Sequence, residues 1–219
     1  IVLTIHQIAL PLHLLFCPKQ GRSYTKKADL LIFMFRQLKA DFNREGIDIT
    51  QFPLTLDSGF VSEELKQRLH KLGFTQIIIA GKGNYVFTIG DQKQPACAWK
   101  KVLTLQESKW GIDVPSCRIR GKSPTFGSLI LFFFQKSTTR SYYLMNFSQV
   151  SLRGAEIWHM WQQHHVIECF WKIMKSIFYI RSMQLQGDGL YTALLIKVLA
   201  YLVALHVQAS GVFSKLTMT

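Results

Sequence analysis

The chain has 219 residues, 48% of them apolar and 13% aromatic, enough for a packed core in one large domain or a domain carrying an insertion. Its 26 lysines and arginines against 13 acidic residues give a formal charge of +13, which points to a polyanionic partner such as nucleic acid and leaves a membrane surface open on charge alone. Four cysteines, Cys17, Cys97, Cys117 and Cys169, form no close pair, so their spacing argues against a zinc cluster or a disulfide framework and for a reducing cytosolic setting.

The chain opens at Ile1 without the charged start and small-residue cleavage site of a signal peptide, and is read as a fragment whose beginning lies upstream. Residues 1–5 and 8–16 are short apolar runs that predict two antiparallel strands around His6-Gln7. Residues 26–44 carry Leu30, Leu31, Met34, Leu38 and Phe42 at helical spacing, closed by Gly46. Residues 52–59 predict a strand that stops at Asp57 and a turn. A second helix over 62–72 has Ser62 at its cap, Glu63 and Glu64 in its first turn and Gly73 beyond its end. Residues 74–80 predict a buried strand parallel to the one ending at Asp57, and ligands of such sheets gather beyond the strands' carboxyl ends.

From 81 to 147 the pattern changes to short alternating runs, at 84–89, 98–106, 116–120, 129–135 and 141–147, which predict a β-rich insertion. Residues 152–183 are helical by period, and a last helix runs over 190–208. Its apolar stretch 190–207, interrupted by Lys197, is expected to be a buried core helix with no membrane contact. Three parts result: 1–80 and 149–219 build the main α/β body, and 81–148 is inserted.

The sharpest local feature lies in the helix after the insertion. At roughly 100° per residue, Trp161, His164, Glu168, Lys172 and Lys175 share one face, opposite an apolar stripe of Val166, Phe170, Ile173, Met174 and Ile177. A carboxylate flanked by bases suits a hard cation beside a phosphate, since Mg²⁺ takes one or two carboxylates plus phosphate oxygens. The same pattern also describes the solvated, salt-bridged side of an amphipathic helix. Asp57 taken singly also fits an Asx turn opening Asp-Ser-Gly. Adjacent His164 and His165 diverge around the helix and are not expected to grip one ion together.

The series Trp161-x2-His164-x3-Glu168-x6-Lys175 resembles the Tyr-x2-Arg-x3-Glu-x6-Lys signature of bacterial insertion-sequence transposases of the DDE type, the group with a β-strand insertion. The segment from Leu54 through Asp57 to Ser62, with its helix and the strand after it, is similar to the second catalytic aspartate region of that family. The resemblance covers almost the whole chain and implies an RNase H-like catalytic core with an inserted β-rich subdomain, its first core strand, and with it the first catalytic aspartate, missing upstream.

It further implies that Asp57 and Glu168 are two of three acidic ligands for two divalent ions, Mg²⁺ with Mn²⁺ as a substitute. Trp161, His164, Lys172, Lys175 and Lys82 would contact DNA, and Trp99 or Trp110 would stack on opened bases. The expected partners are transposon-end and target DNA and a second protomer, in the bacterial cytoplasm at the nucleoid. Trp161 and His164 depart from the family's Tyr and Arg: the indole keeps a flat surface but loses the hydroxyl, and the imidazole loses a constant charge and a bidentate fork. Two other readings compete: a catalytically dead DNA-binding remnant, and a membrane-associated protein anchored by 190–207.

Overall fold

The computed structural model describes residues 1–5, 8–13, 27–89, 91–103, 112–119, 127–133, 141–179 and 187–209. The chain divides into two compact units, one of Lys19–Gln162 and one of Ile1–Pro18 with Gln163–Thr219.

The larger unit is built on a strand that is apolar on both faces. β3 (Leu54–Leu56) and β4 (Ile77–Ala80) pair in parallel, Leu54 opposite Ile77 and Leu56 opposite Ile79. Ile77, Ile78 and Ile79 are all fully buried, as a strand covered on both sides requires. The crossover between the strands is α2 (Glu63–Leu72), a helix set by local chemistry at both ends. Ser62 Oγ accepts the Leu65 N–H, and Gly73 closes the helix at φ +106°, donating to the His70 and Leu69 carbonyls. A Cβ at Gly73 would also meet the Thr50 side chain at 3.2 Å.

α1 (Lys27–Arg44) buries Leu31, Ile32, Met34, Phe35 and Leu38. It is tied to α2 by Arg68 to Asp29 at 2.5 Å and by Lys39 Nζ donating to the Leu72 carbonyl at 2.6 Å. The Phe35 and Phe74 rings meet edge-on at 4.8 Å.

The segment expected as an insertion does not stand apart from this sheet. β5 (Val86–Ile89), β6 (Gln92–Pro95), β7 (Ile112–Ile119), β8 (Gly127–Phe133) and β9 (Ser141–Asn146) extend it in the order β3-β4-β9-β8-β7-β5-β6. β9 lies antiparallel to β4, Ile78 opposite Asn146 and Ala80 opposite Leu144. The boundary read at residue 80 therefore falls inside a continuous mixed sheet, because the return strand completes the hydrogen bonding of β4. A second difference is α3 (Ala96–Leu103), where the sequence reads as a strand. Its Trp99 is buried and donates its indole N–H to the Phe87 carbonyl at 3.1 Å, a tertiary contact that the helical turn after β6 makes reachable.

α4 (Gly154–Ser176) follows β9. Its first turns add Ile157 and Trp161 to a cluster with Ile78 and Leu144. In the smaller unit, β1 (Val2–Ile5) and β2 (Ile8–Pro11) form an antiparallel hairpin with Leu3 opposite Leu10, and neither pairs with another described strand. The hairpin contributes Ala9 to a core with Phe170 and Met174 of α4 and with Leu194, Val198 and Tyr201 of α5 (Gly187–Ala209). Tyr201 donates its hydroxyl to the Ala9 carbonyl at 3.1 Å and stacks edge-on against Phe170 at 5.0 Å.

The expectation that α5 is a buried core helix is corrected by its exposure. Only 17% of its most apolar window is buried, while Leu195, Ile196, Leu199 and Val203 face outward. One stripe packs and the rest of an apolar circumference does not, which a sequence that is apolar all round cannot reveal. Asp188–Gln208 is the one helix among the described residues long and apolar enough to cross a membrane. Lys197, near its middle, donates to the Phe178 carbonyl.

His70 closes the larger unit, donating from Nε2 to the Phe147 carbonyl at 2.9 Å just beyond β9. Burial lowers its pKa from the ordinary 6.5, partly opposed by that acceptor. A depressed folded-state pKa means that the unfolded chain binds the proton first, so this contribution to stability is intact above 6.5 and lost as pH falls through the folded value. Thermal unfolding followed from neutral to acid pH should show a midpoint that falls as pH drops from 6.5 toward the folded value, and His70→Gln should flatten that part of the profile.

Candidate functional site

Asp57 lies at the carboxyl end of β3, where the parallel pair opens to solvent. Its side chain is exposed and caps the 3-10 turn Ser58–Phe60, Oδ1 accepting the Ser58 N–H at 2.7 Å. The capping role read for Asp57 taken singly is thus realised. It occupies one carboxylate oxygen, and among the described residues Oδ2 has no hydrogen-bond donor.

A residue that the sequence reading passed over completes this corner. Tyr85, in the loop between β4 and β5, donates its hydroxyl to the Ser58 carbonyl at 3.1 Å. Burial raises the Tyr85 pKa, and the negative charge of Asp57 adds to the rise, so the phenol stays a donor. The same loop holds the exposed Lys82, whose carbonyl accepts the Tyr85 N–H at 3.0 Å. Its entry is tight: a Cβ on Gly81 would meet the Tyr143 carbonyl oxygen at 3.1 Å. Asp57, Ser58, Tyr85 and Lys82 thus share the carboxyl end of β3 and β4. The tyrosine could have been suspected from Gly81-Lys-Gly-Asn-Tyr85, a turn directly after a buried parallel strand.

The second group belongs to the smaller unit, on the later turns of α4. Glu168, Lys172 and Lys175 are exposed and His164 is half-buried. Glu168 pairs with His165, Oε2 to Nδ1 at 3.5 Å, and among the described residues neither lysine ammonium has a carboxylate partner. The salt-bridged face read as the bland alternative is therefore not formed with Lys172, although the two sit at the favourable i,i+4 spacing.

Three expected positions differ. Trp161 is buried against Ile78, Leu144 and Ile157 and so is withdrawn from the exposed face. Trp99, proposed for base stacking, is a core residue whose indole is already hydrogen bonded. Ile177, counted in the docking stripe, is 65% exposed because the helix ends one residue earlier. Trp110 lies outside the described residues.

Among the described residues no group of three or more His, Cys, Asp and Glu side chains is placed to hold a metal ion. Asp57 and Glu168 are nonetheless exposed hard-oxygen donors, the kind that Mg²⁺ prefers. Comparison of the chain with protein-family models, with curated proteins and with solved structures finds no match.

Loss of the Tyr85 hydroxyl removes one hydrogen bond, worth about 0.5–1.5 kcal/mol. In Tyr85→Phe the Phe60 amide, which donates to the Asp57 carbonyl at 3.0 Å, should exchange with deuterium up to about tenfold faster, while the α2 amides keep their rates.

Proposed function

We propose that the chain is the larger part of the catalytic domain of a DDE-type DNA transposase, with an RNase H-like core whose first strand and first aspartate are supplied by an upstream segment. The observation that carries this reading is the position of Asp57: an exposed carboxylate capping a turn at the carboxyl end of a parallel β pair, a turn whose Ser58 carbonyl is tied by the Tyr85 hydroxyl. Exposed Glu168, Lys172 and Lys175 on α4 supply the second acid and the phosphate-binding bases.

In this reading Asp57 and Glu168 are the ligands that the chain contributes to two Mg²⁺ or Mn²⁺ ions. Such ions, when bound, activate the attacking hydroxyl or water and stabilise the leaving oxygen of an in-line phosphoryl displacement. Lys175 and Lys172 hold phosphates as point charges, His164 donates one hydrogen bond, and Lys82 meets the backbone near Asp57. Trp161 shapes the helix's seat on the sheet instead of touching DNA. The setting is the bacterial cytoplasm, with transposon ends and target DNA as partners and a second protomer at the paired ends.

The exposed apolar side of α5 favours a second reading, a membrane-associated protein held by Asp188–Gln208. Recovery in the supernatant of a detergent-free high-speed spin is expected on the transposase reading, and recovery only with membranes on the other.

The decisive comparison uses the protein extended through its upstream reading frame, with end DNA and Mg²⁺. Asp57→Ala and Glu168→Ala should each reduce cleavage to background while leaving end binding largely unchanged. Lys175→Ala should weaken binding and lower its salt slope by about one. No cleavage by the extended wild-type protein, or equal loss of binding in both acid variants, would contradict the reading.

A further inference from the structure

The exposed side of α4 holds a second constellation that the phosphodiester reading does not use. His165 and Cys169 lie one helical turn apart, and Nε2 of the imidazole is 3.6 Å from Sγ. From the other side of the ring, Nδ1 faces Glu168 Oε2 at 3.5 Å. From these contacts we infer that His165 and Cys169 form a two-residue clamp for a borderline-soft divalent cation, Zn²⁺ in the first place, with Glu168 as the carboxylate behind the histidine.

The geometry supports this in three ways. Zinc binds imidazole nitrogen at about 2.0–2.1 Å and thiolate sulfur at about 2.3 Å, so a tetrahedral ion holds such a pair about 3.5 Å apart. The separation in the free side chains is 3.6 Å, so an ion entering between them needs little rearrangement of either. The His165 ring also has a carboxylate near its other nitrogen, Glu168 Oε2 lying 3.5 Å from Nδ1; with Nε2 on the metal, closing that gap would give the carboxylate–histidine–metal arrangement that fixes the tautomer and raises the ligand's basicity.

Access is open as well, since the His165 side chain is 64% exposed and the Glu168 side chain 57%. Cysteine spacing alone missed this pair, because its partner is a histidine four residues earlier on a helix.

The donor set separates this site from the proposed Mg²⁺ ligands. A thiolate and an imidazole select zinc or its neighbours, whereas magnesium takes hard oxygens. Two side chains leave the remaining coordination positions to water, which makes the clamp an exchangeable site instead of a closed structural one. Binding releases the Cys169 thiol proton to solvent as the sulfur–metal bond forms. The inference does not rest on the transposase reading, although Glu168 serves in both.

Co²⁺ titration of the full chain tests it, because a cobalt–thiolate bond gives a charge-transfer absorption that oxygen and nitrogen ligands do not. The wild-type chain should develop this band saturably, and Zn²⁺ should abolish it by displacement. Cys169→Ser should remove the band, His165→Ala should weaken binding at least tenfold, and Glu168→Gln should retain the band with affinity reduced about tenfold. No band in the wild-type chain, an undiminished band in Cys169→Ser, or unchanged affinity in His165→Ala would each overturn the inference. Loss of DNA cleavage in Glu168→Gln with the cobalt band kept would separate the two roles of that carboxylate.

Discussion

The larger unit depends on the burial of β4 from both sides. Ile77, Ile78 and Ile79 have no solvent exposure, β3 hydrogen bonds to one edge and β9 to the other, and Ile78 anchors the first turns of α4 through Ile157 and Trp161. Each buried isoleucine contributes about 1.5–3 kcal/mol relative to an exposed one. Everything at the candidate corner follows from this strand: the parallel partner that ends at Asp57, the loop that carries Lys82 and Tyr85, and the close approach of Gly81 to Tyr143.

The parts of the fold legible in the sequence are those set by local chemistry. Ser62 and Gly73 bracket α2, and the branched residues of β4 call for a buried strand. The hairpin β1–β2 and the parallel pair β3–β4 follow from apolar runs of strand length with turn residues between them. The α/β class of the chain was readable for the same reason. The stretch around Trp99 was read as a strand, but Ala96, Ala98, Lys100, Lys101 and Leu103 favour the helix α3 that forms, in which the Trp99 indole reaches the Phe87 carbonyl. Pattern is also silent on pairing between strands, such as that of β9 with β4.

The candidate site shows the same division. Angular arithmetic correctly placed Glu168, Lys172 and Lys175 together on an exposed side of α4. It failed for Trp161 because angle is only one of two coordinates on a helix. Trp161 and Lys175 are fourteen residues apart, about 21 Å along the axis, so one face can be covered at its start and open at its end. Asp57 was located by the rule that ligands collect beyond the carboxyl ends of parallel strands, and its turn does stand there. Tyr85 could not be placed by spacing, since its bond to Ser58 spans 27 residues. The His165–Cys169 pair was within reach, because its spacing of four is local.

The proposed chemistry requires that a single pair of metal ions touch both Asp57 and Glu168. Fe²⁺ can replace Mg²⁺ at oxygen sites and, with ascorbate and peroxide, cuts the backbone beside the place where it is bound. Applied to the upstream-extended protein in a His165→Ala, Cys169→Ser background, this reaction should cut near residue 57 and near residue 168, with both cuts suppressed together by Mg²⁺. Cleavage near one of them alone, or at neither, would contradict the account.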